Sequence, residues 1–189
     1  MTEEKAEDPY KWLNDLVAVT VVILTVFMAV ANVKDDNIVQ AMQKAKADAV
    51  DTWSEYQASR VKLHLDENGL STLHDLESVG SLDKALVANQ AAEYASDIKK
   101  YEARSAETMA KARDLEAEYD RLNYHDDQFD IAEAFIQLAV ALAAVAALVE
   151  RWWLLYVCWG AGAVGMLSGI AGFANLAFHW DWAARLLSS

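Results

Sequence analysis

The chain reads as an all-α membrane protein. It has three transmembrane helices, with a long antiparallel helical hairpin, coiled-coil-like, between the first and second. Three observations lead there. Three long stretches lack charge almost entirely. The polar stretch between the first two contains no Pro and only two Gly, Gly69 and Gly80. Its apolar residues recur at alternating steps of three and four, the period of a coiled-coil seam.

Residues 16–33 carry no charge, and only Thr20, Thr25 and Asn32 are weakly polar. Residues 131–149 hold Glu133 and Gln137 in their first two turns and nothing charged after them. Residues 152–178 are uncharged. A bilayer core of about 30 Å needs roughly 20 helical residues. In hydrocarbon a backbone must satisfy its own hydrogen bonds, which leaves helix or closed barrel. Runs without two-residue alternation are helices. Trp12, Trp152, Trp153, Trp180 and Trp182 flank these runs, where amphipathic rings anchor at the headgroup level. Residues 2–11 hold four acids and two bases. That is the wrong sign for the start of a cleaved signal, so the first run is expected to stay as an anchor.

The expected organisation follows. Residues 1–11 are an acidic tail and 12–33 the first span. Residues 34–130 form the extramembrane hairpin, 131–149 the second span and 152–178 the third. Residues 179–189 are an amphipathic interfacial tail. Lys5, Lys11 and Arg151 on one side oppose Lys34, Lys44, Lys46, Arg121 and Arg185 on the other. This leans the hairpin toward the cytoplasm.

The return leg of the hairpin shows its seam at Ile98, Tyr101, Ser105, Thr108, Ala112, Leu115, Tyr119 and Leu122. The same register continues through Asp126, Phe129, Glu133, Ile136 and Val140 into the second span. The ascending leg reads Ile38, Met42, Ala45, Ala49, Thr52, Tyr56, Arg60 and Leu63. Trp53, Tyr56, Tyr101, Leu115, Tyr119 and Leu122 are the expected hairpin-packing residues. Ascent continues past a kink at Gly69, and the chain reverses near Gly80. Ser81 is the expected cap of the returning helix. The seam is rich in Ser, Thr and Ala, too little apolar surface for an isolated pair of helices. Hairpins are therefore expected to pack against other hairpins.

In the third span Ala161, Gly165, Ser168, Gly169 and Gly172 form a small-residue face for close helix packing, within the chain or between chains. Gly160, Gly162 and Gly165 also match the spacing of a dinucleotide-binding loop. That loop needs a strand before it and a βαβ setting, and neither is present.

The net charge is -13, from 29 acids against 16 bases, which excludes a basic nucleic-acid-binding face. A single cysteine, Cys158, excludes a disulfide framework. No Ser-His-Asp set, phosphate loop or paired catalytic carboxylates can be assembled, so no enzyme and no cofactor are expected. The best polar constellation is His125, Asp126, Asp130 and Glu133, at the entry to the second span. Clustered carboxylates with one imidazole could bind a divalent cation or form an acidic collar in a ring of chains.

Two stretches carry a resemblance. One is Trp53-Ser54-Glu55-Tyr56-Gln57-Ala58-Ser59-Arg60. The other is Phe129-Asp130-Ile131-Ala132-Glu133-Ala134, followed by an Ala/Val/Leu-rich span, a basic-aromatic turn and a Gly-rich span. Together they resemble a bacterial membrane-protein family known as domain of unknown function 4337. Ser59 departs from that pattern, where Lys is usual. The resemblance implies an integral membrane protein and brings no established activity with it; the expected location is the bacterial inner membrane. The leading expectation is a non-enzymatic, membrane-anchored helical scaffold that is homo-oligomeric in the lipid bilayer. An accessory subunit of a larger membrane complex is the alternative, and a cation-binding or cation-conducting oligomer the next.

Overall fold

The computed structural model describes residues 10–80 and 83–174. Helix is the only regular structure among them: α1 spans Lys11–Ser78, α2 Lys84–Val149 and α3 Trp152–Phe173. All three are long and apolar enough to cross a membrane. The chain divides into two compact units, Met42–Asp120 and the pair of segments Met1–Ala41 with Arg121–Ser189.

In the first of these units α1 and α2 meet along small residues. Met42, Ala45, Ala49, Thr52, Ser59 and Leu63 are buried on α1, and Val87, Ser105, Thr108 and Ala112 on α2. Ser59 takes the buried position in place of Arg60, whose charge stays at the margin. The two buried threonine hydroxyls turn onto their own helix, while Ser105 Oγ is enclosed without a hydrogen-bond partner. Thr52 donates to the Asp48 carbonyl at 2.7 Å and Thr108 to that of Arg104 at 2.8 Å.

Around this thin core the larger side chains bridge the two helices. Trp53 Nε1 donates to Glu116 at 2.8 Å. Arg104 pairs with Glu55. The Lys46 ammonium lies 5.6 Å from the Tyr119 ring centre, and that of Lys62 5.5 Å from Tyr101. Trp53 also meets Tyr56 edge-on, with ring centres 5.5 Å apart. Tyr56, Tyr101, Leu115 and Tyr119 are half-buried.

Gly69 does not end α1, which runs on to Ser78. The glycine makes room instead: a Cβ there would come within 2.8 Å of the Tyr94 ring. Two residues past its end stands Gly80, whose φ of +77° suits a residue without a side chain. Ser81 lies outside the described residues. The capping contact is made by Asp83, whose Oδ1 accepts from the Ala85 N–H at 2.9 Å.

The other unit holds the apolar ends of α1 and α2 together with α3. Its core gathers Leu13, Val17 and Leu24 from α1, Ile136, Ala139, Ala143 and Ala146 from α2, and Leu154, Leu155 and Cys158 from α3. Trp12, Trp152 and Trp153 are exposed, while Trp180 and Trp182 lie outside the described residues. Residues 175–178, expected to complete the third span, lie outside them too.

Beyond Leu122 the buried line of α2 runs through His125, Phe129, Ala132, Ile136 and Ala139. It leaves Glu133 and Val140 half-buried, against the expected register. The steps still alternate four and three, but at His125, Ala132 and Ala139 the line sits one residue earlier than the expected seam. The shift brings the small side chains of Ala132 and Ala139 to the face that α3 packs against.

The α2–α3 link is two residues long. Arg151 N–H reaches back to the Ala146 carbonyl at 3.3 Å, with Glu150 in the left-handed region at φ 55°. That is a Schellman closure with Glu where Gly is usual.

Candidate functional site

The glycine face of α3 is filled by the chain's own helices. A Cβ on Gly162 would stand 3.1 Å from Leu24, one on Gly169 2.8 Å from Phe27, and one on Gly172 2.9 Å from Phe129. Gly165 is the tightest, with Ile136 Cγ1 at 2.8 Å, the Ala132 carbonyl at 2.9 Å and the Ile136 nitrogen at 3.1 Å from the same construction. Ala132 and Ala139 are therefore small because α3 crosses there. Gly160 has nothing within 4 Å, and Ala161 is half-buried beside the core. The face thus runs Gly162, Gly165, Gly169, Gly172, one position off a strict step of four at its start.

Ser168 completes it. Its hydroxyl is buried and donates to the Gln128 carbonyl at 2.9 Å. The Phe129 and Phe173 rings meet edge-on at 5.2 Å. These contacts hold the turn of α2 that carries residues 126–130. Ser168→Ala removes one neutral hydrogen bond, and the carbonyl keeps its partner within α2. The expected loss is about 1 kcal/mol, read from thermal melting in detergent.

On that turn, and on α1 opposite it, carboxyl groups converge. The carboxyl groups of Asp35 and Asp126 lie within interacting reach of each other. A hydrogen bond between them needs a proton on one of the two. Asp35 is the proton's natural seat. Burial pushes its pKa up to about 7, and the charges of Asp126, Asp130 and Asp36 add to the rise. Its Oδ1 is enclosed and without a hydrogen-bond partner. Asp126 is raised by burial and by Asp127, although a hydrogen bond with Asp35 works the other way. Asp130 is raised by burial, then by Asp126, Asp127 and Glu133.

Of the four residues read as a cation set, Asp126 and Asp130 lie together. His125 is buried, with Nδ1 3.4 Å from Gln128 Oε1 and its ring edge-on to Tyr124 at 5.7 Å. Glu133 accepts from Gln137 Nε2 at 2.8 Å along its own helix. Among the described residues no three His, Cys, Asp or Glu side chains are placed to hold a metal ion. The member that sequence reasoning missed is Asp35. It lies three residues before Ile38 and four after Ala31, on the buried line of α1, so extending the seam by one step points to it.

Among the described residues, three helices of membrane-crossing length and apolarity and no other regular structure define a class, the small helical proteins associated with membranes. The sequence model of the family described as Domain of unknown function (DUF4337) matches residues 13–175, and the chain belongs to that family. No curated protein and no solved structure matches it.

Proposed function

We propose that this protein is a non-enzymatic, membrane-anchored helical scaffold of the bacterial inner membrane. The apolar parts of α1 and α2 cross the bilayer together with α3. The polar parts of α1 and α2 form an antiparallel hairpin outside it, through which copies of the chain assemble.

The observation that carries this reading is the order of side-chain pairings in the polar unit. Lys46 meets Tyr119, Trp53 meets Glu116, Arg104 meets Glu55, and Lys62 meets Tyr101. As residue numbers rise along α1 their partners fall along α2, the signature of two legs running in opposite directions. Exposed residues in the apolar stretches fit contact with lipid: Val19, Val22, Ile23 and Val26 on α1, and Leu167 and Ile170 on α3. The glycine face of α3 is filled from within the chain, so contacts between copies fall on other surfaces.

The test is the native mass of the full chain in mild detergent. The expected result is a symmetric particle of one kind of chain. A monomer would overturn the scaffold. Stoichiometric foreign subunits would replace it with an accessory role in a larger complex.

A further inference from the structure

In the polar unit α1 has a second seam. Val50, Val61, Leu65 and Leu76 on α1, with Val79 just past its end, are 43–77% exposed. They are separated by eleven, four, eleven and three residues, each close to a whole number of helical turns. They therefore line one stripe, on the side of the helix away from Ala49, Ser59 and Leu63. The positions between them on that line are Ser54, Ala58, Asn68 and Thr72. The stripe carries no charge, in a polar segment where residues 35–130 hold 21 acids and 11 bases.

Its two hydroxyl groups are already satisfied. Ser54 donates to the Val50 carbonyl at 2.9 Å and Thr72 to that of Asn68 at 2.8 Å. Covering them would strand neither hydroxyl. By contrast, α2 exposes no large apolar side chain between Leu86 and Leu138. An uncharged, exposed stripe of this length marks a surface that something covers.

We infer that this stripe is where a second copy of the chain docks, α1 against α1 in parallel. The inference deepens the scaffold reading and rests on it: two copies held in one bilayer present the helix in the same direction. In a parallel pair, the residue just before a seam position meets the one five further on in its partner. That brings Lys46 opposite Asp51 of the other copy, twice by symmetry. Further along, Gln57 faces Lys62 and His64 faces Gly69, so no two like charges meet. From Ala47, exposed on the same line three residues before Val50, to Val79 the stripe is about 50 Å long, on a helix about 10 Å wide. It would cover roughly 500 Å² per copy, or about 1,000 Å² in total, which reaches the size of a specific interface.

The experiment uses the full chain in mild detergent and in membranes. Native mass is measured for the parent chain and for Val61→Glu/Leu65→Glu. Both residues are exposed and off the α1–α2 seam, so helix content by circular dichroism should not change. The variant should self-associate at least about 100-fold more weakly, because docking would bury unpaired carboxylates. In oxidised membranes Val61→Cys should form a disulfide-linked dimer. Ala103→Cys, exposed on α2, should not, and neither should the parent chain with its buried Cys158. If the variant keeps the parent's oligomer and Val61→Cys stays unlinked, the stripe is not the interface and the scaffold reading survives. A monomeric parent chain overturns both. A foreign protein bound at the stripe in stoichiometric amount overturns the self-contact.

Discussion

Gly165→Val should separate α3 from α2, whereas Gly160→Val should leave the protein nearly unchanged. At position 165 the first added carbon would meet the Ala132 carbonyl and the Ile136 nitrogen at 2.9 and 3.1 Å. Those are backbone atoms of a neighbouring helix, which cannot swing aside as a side-chain tip can. Two further methyl groups follow, so the helices must move apart or tilt. Overpacking of this kind costs about 1–3 kcal/mol. Losing the contacts above and below, at Gly162 and Gly169, adds to it. We expect roughly 3 kcal/mol or more, a fall in Tm of roughly 6–12 °C by soluble-protein scaling. At position 160 no heavy atom lies within 4 Å, so the same substitution meets open space. Thermal melting of both variants in one detergent gives the comparison. Equal melting temperatures would show that the glycine face is not a close contact.

Asp35→Asn should make the protein more stable at pH 8 than the parent chain and flatten its response to pH. In the folded state burial pushes the Asp35 pKa up to about 7, whereas the free side chain loses its proton near 3.8. Between those values the folded chain binds more protons than the unfolded one, so stability falls as pH rises through that window. Above it the full destabilisation by a charged Asp35 beside Asp126 and Asp130 is present, and below pH 3.8 it is absent. Asp126 and Asp130 are displaced in the same direction and reinforce the trend. Asp35 is only part-buried, and solvent screening reduces the effect to on the order of 1–2 kcal/mol. Asparagine keeps the shape and can donate to Asp126 without a titrating proton. Melting curves at pH 5 and pH 8 should differ less for the variant than for the parent chain. An equal difference would place the pH response elsewhere.

The three apolar helices are legible in the sequence because a long uncharged run has few other folds open to it. The α1 seam from Ile38 to Leu63 is legible for the same kind of reason: its spacing recurs often enough to outvote single residues. Arg60 misleads at its margin, where a long charged side chain fits the spacing while Ser59 takes the interior. The continuation through Glu133 and Val140 misleads because two-helix periodicity no longer applies once a third helix packs alongside. Gly165, Gly169 and Gly172 announce a close approach, but not that Ile136, Phe27 and Phe129 of the same chain supply it. Asp35 is the hardest to see. A carboxylate on a packing line looks like an interruption until the opposing helix is found to carry Asp126 and Asp130 there. That juxtaposition depends on pairing across more than ninety residues, which no local pattern encodes.

The two-residue joint at Glu150 and Arg151 has a consequence for how α3 finds its seat. With Arg151 tied back to Ala146, almost no slack separates the last turn of α2 from the first of α3. The joint works like a keyed coupling. It sets the rotational phase of α3, so that Gly165 and Gly169 arrive facing Ala132 rather than turned away from it. One extra residue would turn that phase by about 100°, and Val164 and Ala171 would come round to the places that Gly165 and Gly172 hold.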